Sequence, residues 1–166
     1  MQKEEDKTNS LVPRKKGELL SKQSIMSRSV VKNLIREAME GMKHSYSPYS
    51  GFSVGAALLT TRQKIYTGCN IENAAYGPTN CAERTAFFKA VSEGERDFSA
   101  IAVVGGKGGD VTDYFPPCGV CRQVIREFVD PKRFLIILAK SEEDYLLYFL
   151  EELLPMGFGP EYLSKE

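Results

Sequence analysis

Imidazole is almost missing from this chain, with His44 as its single histidine, so every mechanism that needs imidazole is limited to one side chain. An excess of charge is missing too, because 22 basic residues are matched by 22 acidic ones and the formal net charge is zero. Proteins that live on nucleic acid draw most of their affinity from neutralising phosphates, and they show it as a basic excess or stripe. The balance here leads us to expect a small or neutral substrate and no nucleic-acid partner. No apolar run approaches the ~20 residues that a bilayer-spanning helix needs. The opening residues, MQKEEDKTNS, lack the apolar core of a secretory signal. A cytoplasmic protein with no membrane partner is therefore expected, in a compartment where thiols stay reduced. The four cysteines, Cys69, Cys81, Cys118 and Cys121, then read as metal ligands or catalytic thiols before they read as disulfides.

What is present begins after a polar stretch. Residues 1–26 mix charges without apolar periodicity and are expected to form a flexible arm, leaving 27–166 as one domain. Val30, Val31, Leu34, Ile35, Ala38, Met39 and Met42 recur at helical spacing, with Ser27 or Ser29 as the cap. The segment 45–51 breaks that helix. Strands are predicted over 52–60 and 65–69, with a turn near Arg62 and Gln63. A polar loop leads to a helix over 80–91, then a strand over 100–104. A glycine-rich loop over 105–115 follows, and then a helix over 118–128. Strands over 134–138 and 145–149 precede a tail of short helical pieces. Alternating helices and strands give an α/β fold with a central sheet covered on both faces.

Two cysteine motifs occupy the same structural place, where a loop becomes a helix. Cys81 stands at one helix start, and Cys118 opens another directly after Pro116 and Pro117. A helix N-terminus carries partial positive charge and favours thiolate, the form that binds metal. Cys118 and Cys121 are three apart and share a helix face. Three thiols rather than four fit a catalytic zinc site, which keeps one position open. Cys69 ends a strand in a different context and is expected to be a packed core cysteine, while His44 is expected at the surface. Three thiolates make a zinc centre net negative. The two helix dipoles offset part of that charge, and Arg84 and Arg122 are candidates to hydrogen-bond the sulfurs, a solvated helix face being the alternative for both. Glu83 lies two residues past Cys81 in the first helical turn, placed to accept and deliver protons. A cysteine-rich zinc site, a nearby glutamate that is not a ligand and a later Pro-Cys-x-x-Cys are the signature of zinc deaminases.

Across 27–163 the chain resembles the homotetrameric cytidine deaminases. The resemblance rests on Tyr46-Ser-Pro-Tyr-Ser-Gly-Phe-Ser-Val-Gly-Ala-Ala-Leu-Leu59, Gly68-Cys-Asn-Ile-Glu-Asn-Ala74, Cys81-Ala-Glu-Arg-Thr-Ala86, Pro117-Cys-Gly-Val-Cys-Arg-Gln123, Glu152-Leu-Leu-Pro155 and Phe158-Gly-Pro160. It implies a three-layer α/β/α sandwich around a mixed sheet. The implied metal set is Cys81, Cys118 and Cys121 on one Zn²⁺ per chain, with Glu83 as the proton shuttle. Asn70 and Glu72 match the pair that binds the ribose hydroxyl, Phe52 an aromatic lining the base pocket, and Ala82 a backbone amide for the base. Ala74, Tyr76 and Phe158 match positions that reach into a neighbouring subunit's site, so the active sites of the homotetramer would be shared. The implied reaction converts cytidine and deoxycytidine to uridine and deoxyuridine with release of ammonia, as in pyrimidine salvage. The 105–115 loop and the acidic run before the last strand depart from the family's pattern.

Rival readings share parts of this pattern. A deaminase of a cytosine nucleoside antibiotic would differ only in its pocket. A polynucleotide-editing deaminase would share the zinc site but lacks its basic surface here. A non-enzymatic zinc or redox module would use Cys118 and Cys121 as a thiol pair and leave Cys81 and Glu83 without a task.

Overall fold

The computed structural model describes residues 25–163, so nearly all of the expected arm over 1–26 lies outside the described residues. Helix α1 (Arg28–Met42) opens on Ser27, whose side chain accepts the Val30 amide at 3.4 Å, which resolves the choice between Ser27 and Ser29. Val31, Leu34, Ile35, Ala38 and Met42 form its buried stripe. Strands β1 (Phe52–Thr60) and β2 (Ile65–Cys69) make an antiparallel hairpin, with Gly55 opposite Cys69 and Leu59 opposite Ile65. Helix α2 (Ala82–Ser92) then leads to β3 (Phe98–Lys107), which pairs antiparallel with the other edge of β1. Helix α3 (Gly119–Phe128) carries the chain across to β4 (Leu135–Ala139), the neighbour that runs parallel to β3. A parallel pair needs such a crossover. Strand β5 (Tyr145–Phe149) closes the sheet antiparallel to β4, and the order is β2-β1-β3-β4-β5. A short helix α4 (Leu150–Leu153) and a 3₁₀ turn (Pro160–Tyr162) complete the described chain.

Period-two alternation decides which layer each strand residue joins. Ala57, Leu59, Ala100, Ala102, Val104, Leu135 and Ile137 pack with the α1 stripe. Their neighbours Ala56, Leu58, Ile101, Val103, Ile136 and Leu138 pack with Phe87 of α2 and Ile125 of α3. The result is the expected three-layer α/β/α sandwich around a mixed sheet. Coverage on both faces is why these strands read as continuous apolar runs.

The structure corrects the sequence reading at several points. β3 continues to Lys107, so Gly105 and Gly106 belong to the strand and not to the loop. Glycine is a poor strand former, which is why these two read as loop. Gly106 is required because a Cβ there would collide with the Asp110 carbonyl of the returning chain. The acidic run before β5 has partners on α1: Glu142 pairs with Arg36 at 2.9 Å, and Glu143 with Lys32. Those charges orient the turn against the helix, although exposed pairs of this kind add only ~0–1 kcal/mol each.

Candidate active site

Both metal motifs begin where the physics of helix termini would place thiolates. Cys81 stands just before the first residue of α2, and Cys118 just before that of α3, both in extended conformation. The helices thus start one residue later at Cys118, and two later at Asn80, than the sequence suggests. Asn80 instead bridges to Ile71 in the preceding loop. Gly68 brings α2 to its place, since a Cβ there would strike the Ala82 carbonyl and lie 2.6 Å from the Ala86 nitrogen. With that close approach, Cys81, Ala82 and Glu83 sit at the end of β2.

The thiols of Cys81, Cys118 and Cys121 lie within 4.8 Å of one another, and the Cys81 and Cys118 sulfurs are 3.8 Å apart. Sulfurs bound to zinc at ~2.3 Å in a tetrahedron stand ~3.8 Å apart, so the spacing fits zinc. No other group of three or more metal-binding side chains occurs among the described residues. Three thiols with no fourth protein donor suit a site with an open position. Hydrogen bonding from the Cys121 thiol holds Cys81 down to about 5 against the effect of burial, with Arg84 and Cys118 acting in the same direction. Cys121 is pushed up by its bond toward Cys81 and by burial. A soft cation held by these sulfurs would displace their protons.

Arg84 Nη2 is 3.5 Å from the Cys81 sulfur and 3.2 Å from the Thr79 carbonyl. Arg122 has a different task from either of those expected: its Nε donates to Pro117 O at 2.7 Å and its Nη1 to Leu153 O at 2.6 Å. It therefore ties the start of α3 to the C-terminal segment. Gln123 joins that tie through the Phe158 carbonyl at 2.9 Å, and buried Arg126 through Glu161. These clamps were not legible in the sequence, where arginines on a helix face look like solvated charges.

Glu83 is 4% exposed, and burial pushes its carboxyl up to about 7, with the charge on Cys81 adding to the rise. A proton-transfer group works best when its pKa lies near the operating pH. Cys69 is half-buried and not a core residue; it lies at the strand end, where its thiol donates to the His44 carbonyl at 3.3 Å. Burial pushes that thiol up, and neither Cys69 nor His44 joins the cluster.

Around the cluster, Asn70 is buried. Its Oδ1 accepts the Val54 amide at 2.8 Å and the Ser45 hydroxyl, while its Nδ2 donates to the Phe52 carbonyl at 2.8 Å. Glu72 accepts the amides of Tyr49 and Ser50 at 2.9 and 3.2 Å, and the Ser50 hydroxyl as well. The Ser50 hydroxyl and these amides hold Glu72 below the usual carboxylate range. Loop 45–51 is thus locked to loop 70–80, which runs directly into Cys81. Phe52, Ala74, Tyr76 and Phe158 are exposed, Tyr76 at 70% and Phe158 at 54%.

Comparisons with known proteins agree with this geometry. The family model for the cytidine and deoxycytidylate deaminase zinc-binding region matches residues 28–137. A cytidine deaminase of Sporosarcina psychrophila is 50% identical over 134 residues, covering 81% of this chain and 95% of that protein. One of Halalkalibacterium halodurans is 49% identical over 131 residues, covering 79% and 96%. Among solved structures, cytidine deaminase from Burkholderia pseudomallei superposes with a TM-score of 0.69 at 44% identity, covering 76% of this chain and 97% of that one. With the zinc-binding region matched across both cysteine motifs and relatives aligned over nearly their whole length, the chain belongs to the cytidine deaminase family.

Proposed function

We propose that this enzyme hydrolyses cytidine and deoxycytidine to uridine and deoxyuridine plus ammonia, with Cys81, Cys118 and Cys121 as the zinc ligands. One observation carries the reading: three convergent thiols at two helix starts, with a buried carboxyl, Glu83, two residues beyond one of them. Zinc, when bound, lowers the pKa of a coordinated water and makes it a nucleophile near neutral pH. Glu83 would accept the first proton of the attacking water and pass it to N3 of the pyrimidine. The water oxygen bonds to C4. Glu83 then takes the second proton and delivers it to the amino group, the C4–N bond breaks, and ammonia leaves. One carboxyl can do this because it is poised to hold or release a proton near neutrality. Arg84, beside the Cys81 sulfur, together with the two helix termini, offsets the negative charge of three thiolates.

The Ala82 amide, at the start of α2, faces no intrahelical acceptor and is assigned to the base. Asn70 keeps one Nδ2 hydrogen for a ribose hydroxyl, and Glu72, preset by Ser50 and two backbone amides, accepts from the sugar. Phe52 lines the base pocket. Ala74, Tyr76 and Phe158 serve a neighbouring subunit's site in a homotetramer, which accounts for their exposure on the single chain. The described residues form one domain in the cytoplasm. The test is uridine release from cytidine and from a cytosine-containing single-stranded oligonucleotide. The reading predicts release from the nucleoside, and activity confined to the oligonucleotide would overturn it.

A further inference from the structure

The loop between β3 and α3, and the acidic turn before β5, are the two segments that the chemistry above leaves without a task, and they touch each other. The Tyr114 hydroxyl donates to the Asp144 carboxylate. Lys140 Nζ pairs with Asp144 at 2.9 Å and lies 4.6 Å over the Tyr114 ring. Immediately after this anchor comes Phe115, whose ring centroid is 5.8 Å from that of Phe52 at an interplanar angle of 51°. Phe115 lies against the sheet: a Cβ on Gly105 would be 3.1 Å from its Cγ and 3.2 Å from a Val54 methyl. At the same corner the Gly108 amide donates to Gly51 O at 2.8 Å, tying the start of the loop to the residue before Phe52.

We propose that Phe115 is a positioning residue that sets the Phe52 ring as a wall of the base pocket, with Tyr114 as the anchor that holds Phe115 in place. The proposal rests on the assignment of Phe52 to the base under the proposed function. The backbone of Phe52 is fixed by Asn70, but the residue is 38% exposed and its ring packs against Phe115. Aromatic rings in this tilted arrangement attract each other beyond the area they bury. Without Phe115 the Phe52 ring would spread over more than one rotamer, and its contact with the base would weaken. The proton path through Glu83 does not involve either ring. The effect therefore falls on binding.

The test is steady-state kinetics on cytidine, with zinc content, for the parent enzyme, Phe115→Ala, Phe115→Leu and Tyr114→Phe. Phe115→Ala is expected to raise KM roughly 3- to 10-fold, with kcat changed by less than about twofold and zinc retained. Phe115→Leu should recover most of the loss, and Tyr114→Phe should raise KM by a smaller factor. A parental KM in zinc-loaded Phe115→Ala, or a fall in kcat alone, overturns the proposal. Should Phe115→Ala fail to fold, a parental KM in Tyr114→Phe overturns it equally. A parent enzyme that does not deaminate cytidine overturns the proposed function and this inference together, so the two failures are distinguishable.

Discussion

In the proposed role the Glu83 carboxyl meets two demands that pull against each other, since it is buried beside the cysteine cluster and would have to exchange protons with a substrate. Burial pushes it up to about 7, with the charge on Cys81 adding to the rise and hydrogen bonding and the nearby Arg84 opposing it. Replacing it by glutamine preserves shape and hydrogen-bonding capacity and removes the exchangeable proton. Glu83→Gln is expected to lower kcat by at least ~10²–10⁴-fold while zinc content stays unchanged, as read by uridine release and metal analysis. Arg84→Ala removes the donor at 3.5 Å from the Cys81 sulfur. A loss of ~10–100-fold in zinc affinity or turnover is expected, measurable by competition with a chelator. The clustering of Cys81, Cys118 and Cys121 was readable from the sequence, because a metal cluster at helix starts needs few residues in fixed order, whereas Glu83 drew its meaning only from its place in the combined motif. Arg122 was not readable, because its partners are backbone carbonyls of Pro117 and Leu153, and spacing does not say which carbonyls will be near.

Element placement depends on close approach as much as on apolar periodicity. α2 can bring Cys81 and Glu83 to the end of β2 because Gly68 presents no side chain to it. Gly68→Ala is therefore expected to cost roughly 1–3 kcal/mol by overpacking, seen as a lowered Tm, and to reduce zinc affinity at the same time. Gly106 shows the limit of reading elements from sequence. Continuous apolar runs bounded by turn residues identified β1 and β4 as strands, and α1 was legible from its 3.6-residue stripe. The end of β3 was not, because its glycines are needed by a loop that returns over them from Asp110. The acidic turn was likewise opaque until Lys32 and Arg36, more than a hundred residues earlier in the chain, came to face it.

At the scale of the whole molecule, several large apolar residues are exposed on the loops that precede and follow β1 and β2 and on the C-terminal segment. Tyr46, Tyr49, Ile71, Tyr76 and Phe158 are each more than two-fifths exposed. A contiguous exposed apolar patch marks a site of association. The homotetramer proposed above accounts for it. Sedimentation of the purified enzyme is expected to report four chains, and Phe158→Ala to impair turnover in an otherwise folded assembly. A monomer with undiminished activity would rule the shared site out.

The central expectation is a zinc centre held by Cys81, Cys118 and Cys121. The most direct measurement pairs zinc content with cytidine turnover in the purified protein and in Cys81→Ala. The account predicts about one zinc per chain in the parent, with turnover lost on chelation and restored by added zinc, and both zinc and turnover lost in Cys81→Ala. A Cys81→Ala chain that keeps its zinc and its turnover, or a parent that deaminates cytidine fully when stripped of metal, would contradict it.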